Sequence, residues 1–304
     1  TAGNFATDSH VVGAAMAIGI GYAMQVPALV LFSLAAVGSG ANVTGGPGGP
    51  LAVLVIAILA AEVGNLVSKK TKVDIIVTPL VTILVGALLT VLTAKYIGDA
   101  ASAVGKLVVW ATTLKPFIMG IIVSVIIGVA LTLPISSAAI CAALGLTGLA
   151  GGAAVAGCCA QMVGFAVMSF RENKWAGILS QGLGTSMLQM PNIIKNPKIW
   201  IPPTLTAAIT GPLATCLFKM EMNGAAVSSG MGTCGLVGQI GVITGWFSPS
   251  DVAIANGATP IQSGLFQWLG LILICFVLPA VLTWTFGLIF RKLGWIKDGD
   301  LTLE

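Results

Sequence analysis

Charged residues in this chain are confined to short clusters between long apolar runs, and this pattern limits the possible folds more than any other feature. Only 8% of the 304 residues are charged and 57% are hydrophobic, whereas a soluble domain carries about 25% charged residues. Several apolar runs reach the roughly 20 residues that a helix needs to cross the hydrocarbon core of a bilayer. The regular alternation of apolar and polar residues that marks the strands of a membrane β-barrel is absent. The sequence therefore predicts an all-α, polytopic integral membrane protein with roughly eight to ten membrane-inserted segments.

Glycine and proline positions predict where these segments break. A glutamine and a proline interrupt the first apolar run, over residues 11–38, which predicts a kinked or broken helix. The glycine- and proline-rich stretch 39–50 predicts a loop. Residues 98–115 are mildly amphipathic and predict an interfacial helix. Residues 135–150 are too short for a full crossing, so they predict a half-helix or a re-entrant segment.

The basic residues predict the orientation of the chain. They cluster at 69–72, 171–174 and 291–297. The positive-inside rule places all three clusters in the cytoplasm, and the C-terminus with them. The net charge of +4 is therefore interpreted as membrane topology, and no nucleic-acid partner is expected.

The stretch GLGTSMLQMPNIIKNP, residues 182–197, cannot form a plain membrane helix because two glycines and two prolines interrupt it. In a bilayer, a broken polar backbone persists only where protein or a water-filled cavity satisfies it. Such discontinuous segments form the binding sites of many transporters. Residues 230–236, GMGTCGL, repeat the Gly-x-Gly-Thr-x-x-Leu pattern of 182–188. We therefore predict two glycine-broken re-entrant elements, 178–197 and 226–242, which meet near the membrane midplane.

The rest of the sequence predicts one membrane domain without a cofactor. The six cysteines lie in apolar runs without a CxxC pair, and the only histidine is His10, so neither a disulfide framework nor a metal site is expected. A GxxxxGK[ST] loop is absent, so no nucleotide cofactor is expected. The chain, residues 1–304, is predicted to be a single permease-like domain. Its N-terminal helical half is 1–133, and the half 134–304 carries both broken elements.

Glu62 is the one carboxylate clearly inside an apolar span, and we predict that it is the catalytic residue. Ionisable groups at membrane depth are costly, so they usually face a cavity or carry function. Glu62 would bind the substrate or act as the base that activates a substrate hydroxyl. The alternative is a protonated or hydrogen-bonded glutamate that packs between helices. Asn65 lies three residues further on, on the same helix face, and is predicted to share the site.

Neutral polar side chains in or beside the apolar segments are the predicted substrate ligands, because an amide both donates and accepts hydrogen bonds and so suits sugar hydroxyls. The same amides could instead join helices to each other. Two lysines beside Pro197 are predicted to line a vestibule for a phosphate or a phosphorylated partner, or to reach the headgroups as interfacial lysines. The predicted substrate ligands are Thr185, Ser186, Gln189, Asn192, Asn65, Gln161 and Gln239; the vestibule lysines are Lys195 and Lys198.

The run GLGTSMLQMPNIIKNPKIWIPPTL, from residue 182, resembles the second group of phosphotransferase-system IIC membrane proteins, as does GMGTCGLVGQ downstream. This group includes the perfringolysin regulator-like proteins. The resemblance implies a homodimeric permease domain in the bacterial plasma membrane, which moves a sugar inward while a separate cytoplasmic IIB protein phosphorylates it. Well-studied sugar IIC subunits carry a histidine and a glutamate near the sugar. In this chain His10 stands at the start of the first span and the broken loop lacks a carboxylate, which leaves Glu62 as the substitute.

Three hypotheses for function remain open from the sequence. The first is a IIC-like permease for a small polar, sugar-like solute. The chain has no complete set of catalytic residues, so as an enzyme it would be at most the membrane subunit of a sugar phosphotransferase. The second is a membrane regulator or sensor without transport. The third is a lipid- or fatty-acid-binding membrane protein. A cavity lined by Glu62 and amides would favour the first, a dry groove the second, and a purely apolar cavity the third.

Overall fold

The computed structural model describes residues 8–70, 73–261 and 263–303, and within these ranges helix is the only extended regular element. An isolated β-bridge pairs Gly148 with Met222. The all-α prediction is confirmed. The α-helices are α1 Ser9–Ala23, α2 Ala28–Gly45, α3 Gly49–Val67, α4 Asp74–Leu89, α5 Lys95–Thr112, α6 Pro116–Thr132, α7 Ser137–Ala143, α8 Gly148–Met168, α9 Phe170–Leu179, α10 Met190–Lys195, α11 Ile201–Pro212, α12 Val237–Phe247, α13 Asp251–Ala255, α14 Leu265–Ile272 and α15 Leu278–Lys292.

The described chain is rich in helices that suit a bilayer. Four helical stretches are long and apolar enough to cross a membrane: Ala28–Val67, Asp74–Thr112, Gly148–Met168 and Leu265–Lys292. Three shorter apolar helices accompany them: Ser9–Ala23, Pro116–Thr132 and Cys234–Phe247. Length and composition thus agree with an integral membrane protein. The larger expected number, roughly eight to ten inserted segments, stays a prediction.

The chain forms two compact units. The first contains the described residues up to Ala103 together with Pro134–Ser136, and the second contains Val104–Leu133 and the described residues from Ser137 onward. The boundary between the units therefore falls within α5. The single permease-like domain that the sequence indicates stays a prediction.

In the first unit, α2 and α3 form an antiparallel pair. A Cβ added at Gly64 would lie 2.9 Å from the Val30 side chain, and Gly49 lies directly against Asn42, so the start of one helix faces the end of the other. The reversal occurs at Gly46, whose φ of 51° lies in the left-handed region that glycine adopts without strain. The 40-residue stretch that these helices form is therefore two antiparallel helices rather than one span.

Two sequence expectations need correction here. The loop expected at 39–50 is a short turn, because α2 continues to Gly45 and α3 begins at Gly49. The separate interfacial helix expected at 98–115 is instead part of a continuous helical stretch, because the π-helical turn Thr90–Ala94 joins α4 directly to α5. Proline and glycine mark the first of these sites, 39–50, in the sequence, but glycine at a helix end permits a tight reversal as readily as a loop.

Two expected breaks are observed. The first apolar run, 11–38, is broken: α1 ends at Ala23 and α2 begins at Ala28. Within 135–150, the only α-helical turn before α8 is the short helix Ser137–Ala143. A proline precedes α2, where its fixed φ suits a helix start.

The second unit is built around α8. In its most apolar window 89% of the residues are buried, and α6, α11 and α15 all contact it. Glycine permits this close approach, because a Cβ added at Gly157 would collide with the carbonyl oxygen of Ser124 in α6. Small residues at helix interfaces are the usual means of packing helices in a bilayer.

Gly157→Ala should lower the Tm of the detergent-purified protein, because the added methyl group cannot fit beside Ser124 and overpacking costs about 1–3 kcal/mol. Gly40→Ala is the matched control, since Gly40 is exposed in α2 and no heavy atom would lie within 4 Å of its Cβ. The control should keep or slightly raise the Tm, because alanine stabilises a helix by about 0.5–1 kcal/mol relative to glycine. Equal shifts for the two variants would contradict the packing account.

Candidate functional site

The first broken segment, residues 178–197, folds as a hairpin at the C-terminal end of α8; we call it the first hairpin. Gln181 Nε2 donates to Ser169 Oγ, one residue beyond α8, at 2.8 Å. The chain then leaves helical geometry, and Ser186 Oγ lies 2.8 Å from a threonine hydroxyl of α6. Gln189 brings the chain back, since its Nε2 donates to Gln181 Oε1 at 2.9 Å. The segment therefore enters the unit and returns on the same side.

The second broken segment, predicted at 226–242, lies within residues 223–247, which fold as a hairpin at the opposite end of α8; we call residues 223–247 the second hairpin. It begins beside Met222, which exchanges two 3.0 Å backbone hydrogen bonds with the first residue of α8. Deeper in the unit, Thr233 Oγ1 lies 3.6 Å from Met162 Sδ. The returning helix α12 brings Gly245 back to the start of the segment, against the backbone of Asn223.

The turn of the second hairpin depends on left-handed backbone and on one amide. Gly235 and Leu236 have φ angles of 51° and 58°, which reverses the chain before α12. In the amide orientation that satisfies both its oxygen and its nitrogen, Gln239 donates to the carbonyl of Gly232 at 3.1 Å and to that of Leu236 at 3.3 Å. Gln239, a predicted substrate ligand, thus closes the turn of its own hairpin.

The two hairpins contact each other beside the C-terminal half of α8, where Gly182 lies near Ala166 and Thr233 near Met162. The matching motifs 182–188 and 230–236 supply the reversing segment of each hairpin, so the repeated pattern in the sequence corresponds to a repeated position in the fold. The re-entrant placement of both hairpins in a membrane stays a prediction.

A buried polar cluster lies where the first hairpin meets α6, α8 and α11; we call it the central cluster. Thr132 Oγ1 is 2.8 Å from Ser186 Oγ and 3.4 Å from Gln161 Oε1. Trp200 Nε1 donates to the same Gln161 oxygen at 3.0 Å, and Gln161 Nε2 donates to Thr204 Oγ1 at 3.3 Å. Buried polar groups at such a point are hydrogen-bonded to each other or to a ligand. Two predicted ligands, Ser186 and Gln161, are therefore brought together.

Two other predicted ligands, Gln189 and Asn192, form a chain of hydrogen-bonded amides, which we call the amide ladder. It holds residues 299–303, which we call the C-terminal tail. Gln189 is fully buried and its Nε2 also donates to the carbonyl of Leu301 at 3.0 Å. Asn192 Nδ2 donates to Gln189 Oε1 at 2.9 Å and to the carbonyl of Thr302 at 2.8 Å. Each amide donor in this ladder is engaged by protein, so the ladder fixes the first hairpin to residues 301–302.

A cavity of about 780 Å³ lies between α9, the first hairpin and the tail; we call it the C-terminal cavity. Thr185 and Asn192 line it, while Gln189 does not. Ser180 also lines it, and its hydroxyl oxygen is buried without a hydrogen-bond partner among the described residues. The lining mixes polar and apolar side chains, so the cavity is neither the purely apolar pocket expected of a lipid binder nor a dry groove. The lining residues are Asn173, Ala176, Gly177, Ser180, Thr185, Met187, Leu188, Pro191, Asn192, Thr302 and Leu303.

A second cavity, of about 470 Å³, lies at the N-terminal end of α8; we call it the Glu221 cavity. The half-buried Glu221 accepts a 2.8 Å hydrogen bond from Asn223 Nδ2. Asn223 Oδ1 in turn accepts from the backbone N–H of Gly148 at 3.2 Å. Elsewhere in the lining, Asn256 Nδ2 donates to Thr147 Oγ1 at 3.1 Å. This cavity therefore combines a carboxylate with amide and hydroxyl groups.

Glu62 and Asn65 both belong to α3, in the first unit. Their side chains are exposed, while Ala60, Ala61 and Gly64 form the buried face of that helix. Glu62 lines neither of the two cavities. Its predicted catalytic role and the predicted role of Asn65 stay predictions.

The predicted vestibule lysines lie near the C-terminal segment. Lys198 Nζ lies 5.3 Å from the ring centre of Trp295, a distance that suits a cation–π contact. Lys195 lines a small pocket of about 200 Å³ with Asn192 and Asp300. Of the basic cluster that begins at Lys69, Thr71 and Lys72 lie outside the described residues.

Sequence reasoning missed several groups of this site. Glu221 and Asn223 lie between apolar runs, and their spacing of two residues matches no motif, although a carboxylate in so apolar a chain is itself a signal. Thr132 and Thr204 look like ordinary helix threonines, and only the fold places them beside Gln161. The backbone of the tail could not be detected from side-chain patterns.

The thiols and acidic groups give no sign of metal chemistry. In the part of the chain that the structure describes, no three His, Cys, Asp or Glu side chains gather as metal ligands.

Comparison with protein families gives one match. A family model described as "Phosphotransferase system, EIIC" matches residues 3–303, nearly the whole chain. No curated protein matches, and no solved structure matches.

Gln189→Leu should loosen the C-terminal tail, because it removes one of the two side-chain donors to the Leu301 carbonyl and leaves Gln181 Oε1 without its donor. Asn173 Nδ2 still donates to the same carbonyl at 2.7 Å. An unmet buried polar group costs about 1–3 kcal/mol. Hydrogen exchange of residues 299–303 should become faster and a protease should remove the tail sooner. Thr285→Val is the control, since Thr285 is exposed in α15 and bonds only within its own helix. Unchanged tail exchange in Gln189→Leu would show that the ladder does not hold the tail.

Proposed function

This chain belongs to the phosphotransferase system EIIC family, a membrane component of sugar transport, and from this premise we propose that it binds and translocates a small, neutral, sugar-like solute. The observation that carries the proposal is the pair of hairpins that approach from opposite ends of α8 and contact each other, with a buried polar cluster where the first hairpin meets α6 and α8. Discontinuous segments that meet near the bilayer midplane are the usual place where transporters bind their solutes.

We propose that the central cluster is the innermost solute site. Hydroxyl and amide groups both donate and accept hydrogen bonds, as sugar hydroxyls require. Ser186, Thr132 and Gln161 now bond to each other at 2.8 and 3.4 Å, so a solute hydroxyl would replace these contacts and leave no buried group unsatisfied. Thr185 and Asn192 would bind the solute in the C-terminal cavity, and Gln189 and Gln239 would position the hairpins.

Translocation would proceed by alternating access. The C-terminal cavity and the Glu221 cavity open at opposite ends of α8, and the central cluster lies packed between them. Such an arrangement fits a closed state, in which movement of either hairpin would open one cavity toward the cluster. We propose that the second unit, which holds both hairpins, is a mobile core that moves against the scaffold of a homodimer.

Phosphorylation would require a separate cytoplasmic IIB protein. Lys195, Lys198 and the basic residues near the C-terminus would attract its phosphate, with the C-terminus in the cytoplasm of a bacterial cell. Arg291 supports the geometry of this region, because it pairs with Glu172 at 2.7 Å and with Asp298 at 2.9 Å. Glu62 remains our proposal for the base that activates the substrate hydroxyl.

A membrane sensor without transport is the second candidate, and the amide ladder favours it. The first hairpin bonds directly to the carbonyls of Leu301 and Thr302. A solute that moved the hairpin would therefore move the tail, which a cytoplasmic partner could detect.

Saturable solute counterflow in proteoliposomes tests the permease proposal. The panel should include glucose, mannitol and cellobiose. Ser186→Ala should raise the half-saturation concentration about three- to tenfold, the equivalent of one hydrogen bond of about 0.5–1.5 kcal/mol. Gln161→Ala should have a larger effect, because Gln161 bonds three partners.

Thr285→Val serves as the control and should transport like the unaltered protein. Saturable solute binding without counterflow would favour the sensor. Neither binding nor counterflow of any panel member would contradict the permease proposal.

Glu62→Gln should abolish phosphorylation-coupled uptake in the presence of a phosphorylated IIB partner, because an amide cannot take up the hydroxyl proton. Counterflow without phosphorylation should persist. The reverse pattern, lost counterflow with intact coupled phosphorylation, would contradict the role of Glu62 as the base.

A further inference from the structure

The Glu221 cavity and the C-terminal cavity are separated by the length of α8. Gly148 and Ala150, in the first turn of α8, line the Glu221 cavity. Asn173 and Gly177, which follow the last turn of α8, line the C-terminal cavity. An α-helix of 21 residues is about 30 Å long, which is the thickness of the hydrocarbon core of a bilayer. The Glu221 cavity therefore lies at the end of α8 that is remote from the C-terminal cavity.

Glu221 is held in place before any ligand arrives. The two residues that follow it are fixed: Met222 exchanges backbone hydrogen bonds with Gly148 at 3.0 Å, and Asn223 bonds the same residue through its side chain. The carbonyl of Asn223 also accepts from the backbone of Ser250 at 2.9 Å. Only one carboxylate oxygen of Glu221, Oε2, is engaged, by Asn223. Oε1 makes no hydrogen bond to any residue in the described ranges.

The lining selects one class of ligand. A carboxylate repels phosphates and other anions, and it accepts hydrogen bonds strongly from hydroxyl groups. Asn256 and Thr147, which also line the cavity, can both donate and accept. A neutral molecule with several hydroxyl groups meets both requirements, whereas an apolar ligand would leave Glu221 unsatisfied. A volume of about 470 Å³ falls in the usual range of small-ligand pockets, about 300–1,000 Å³.

We propose that the Glu221 cavity is a solute-recognition site on the membrane face opposite the C-terminus, where the Glu221 carboxylate accepts hydrogen bonds from the hydroxyls of a neutral sugar or polyol. This inference rests on the proposed function, because it assigns the site where the transported solute first binds. The site lies at the mouth of the second hairpin, which continues from Asn223 to the turn that contacts the first hairpin. Binding here would place the solute at the start of that path.

Counterflow and binding of glucose, mannitol and cellobiose test the site in proteoliposomes of the full chain. Glu221→Gln should weaken apparent affinity about tenfold, the loss expected for one charge-assisted hydrogen bond. Ala150→Leu keeps the carboxylate but fills the cavity, and it should weaken affinity at least as much. Asp251→Asn is the matched control: it removes the same charge from an exposed carboxylate on the nearby helix α13 and should leave affinity unchanged.

Sidedness is tested with single cysteines in a Cys216→Ser/Cys234→Ser background, which removes the thiols that are not buried. A membrane-impermeant maleimide should label Ala258→Cys, in the Glu221 cavity, from the side opposite to Lys297→Cys. Glucose, mannitol or cellobiose at saturation should slow labelling of Ala258→Cys at least threefold, and glucose 6-phosphate should not.

The outcomes separate this inference from the proposed function. Saturable counterflow in which Glu221→Gln and Ala150→Leu behave like Asp251→Asn would overturn the recognition site and leave the permease standing. Labelling of both cysteines from one side would overturn the placement on the opposite face. Failure of every panel member both to bind and to undergo counterflow would overturn the permease and the recognition site together.

Discussion

A backbone N–H or C=O that leaves a helix inside a bilayer finds no water, so it must be satisfied by protein or by a solvated cavity. The two hairpins meet this requirement against α8. Glycine lets their backbones approach closely: Gly232 lies against Cys158, and a Cβ added at Gly182 would lie 3.5 Å from the Ala166 side chain. Amide side chains then cap the freed carbonyls, as Gln239 does at the second turn. The rest of the second unit depends on this arrangement, since both cavities and the central cluster are bounded by the hairpins.

The arrangement also explains why polar groups are concentrated in a chain with so few charges. Thr132, Gln161 and Ser186 bond to each other where the first hairpin meets α6 and α8, so these buried polar groups satisfy one another. A solute with several hydroxyls can take over such bonds one by one. The exchange would cost less than opening a charged site, because hydroxyls and amides have a lower desolvation penalty than ions.

Sequence reasoning located the elements of the fold better than their contacts. The broken backbone was predictable, because glycine and proline at 182–197 rule out a regular helix whatever surrounds them. The repeat at 230–236 was visible for the same reason. The Glu221 cavity was not predictable, since Thr147, Glu221 and Asn256 come from three separate parts of the chain and no periodicity relates them. Gln189 was predicted to bind solute, yet its amide is occupied by the tail, because side-chain type alone does not identify the partner.

The bonds from the first hairpin to the tail end on main-chain oxygens, the carbonyls of Leu301 and Thr302. A main-chain acceptor is present whatever side chain the residue carries. Related chains could therefore vary the exposed side chain at Thr302 and still retain this attachment, whereas Leu301 is also constrained because its side chain is fully buried in the core. Variation at Thr302 would be a poor guide to the importance of that position, and a change in the path of the chain would disturb the hairpin more than a change of residue there.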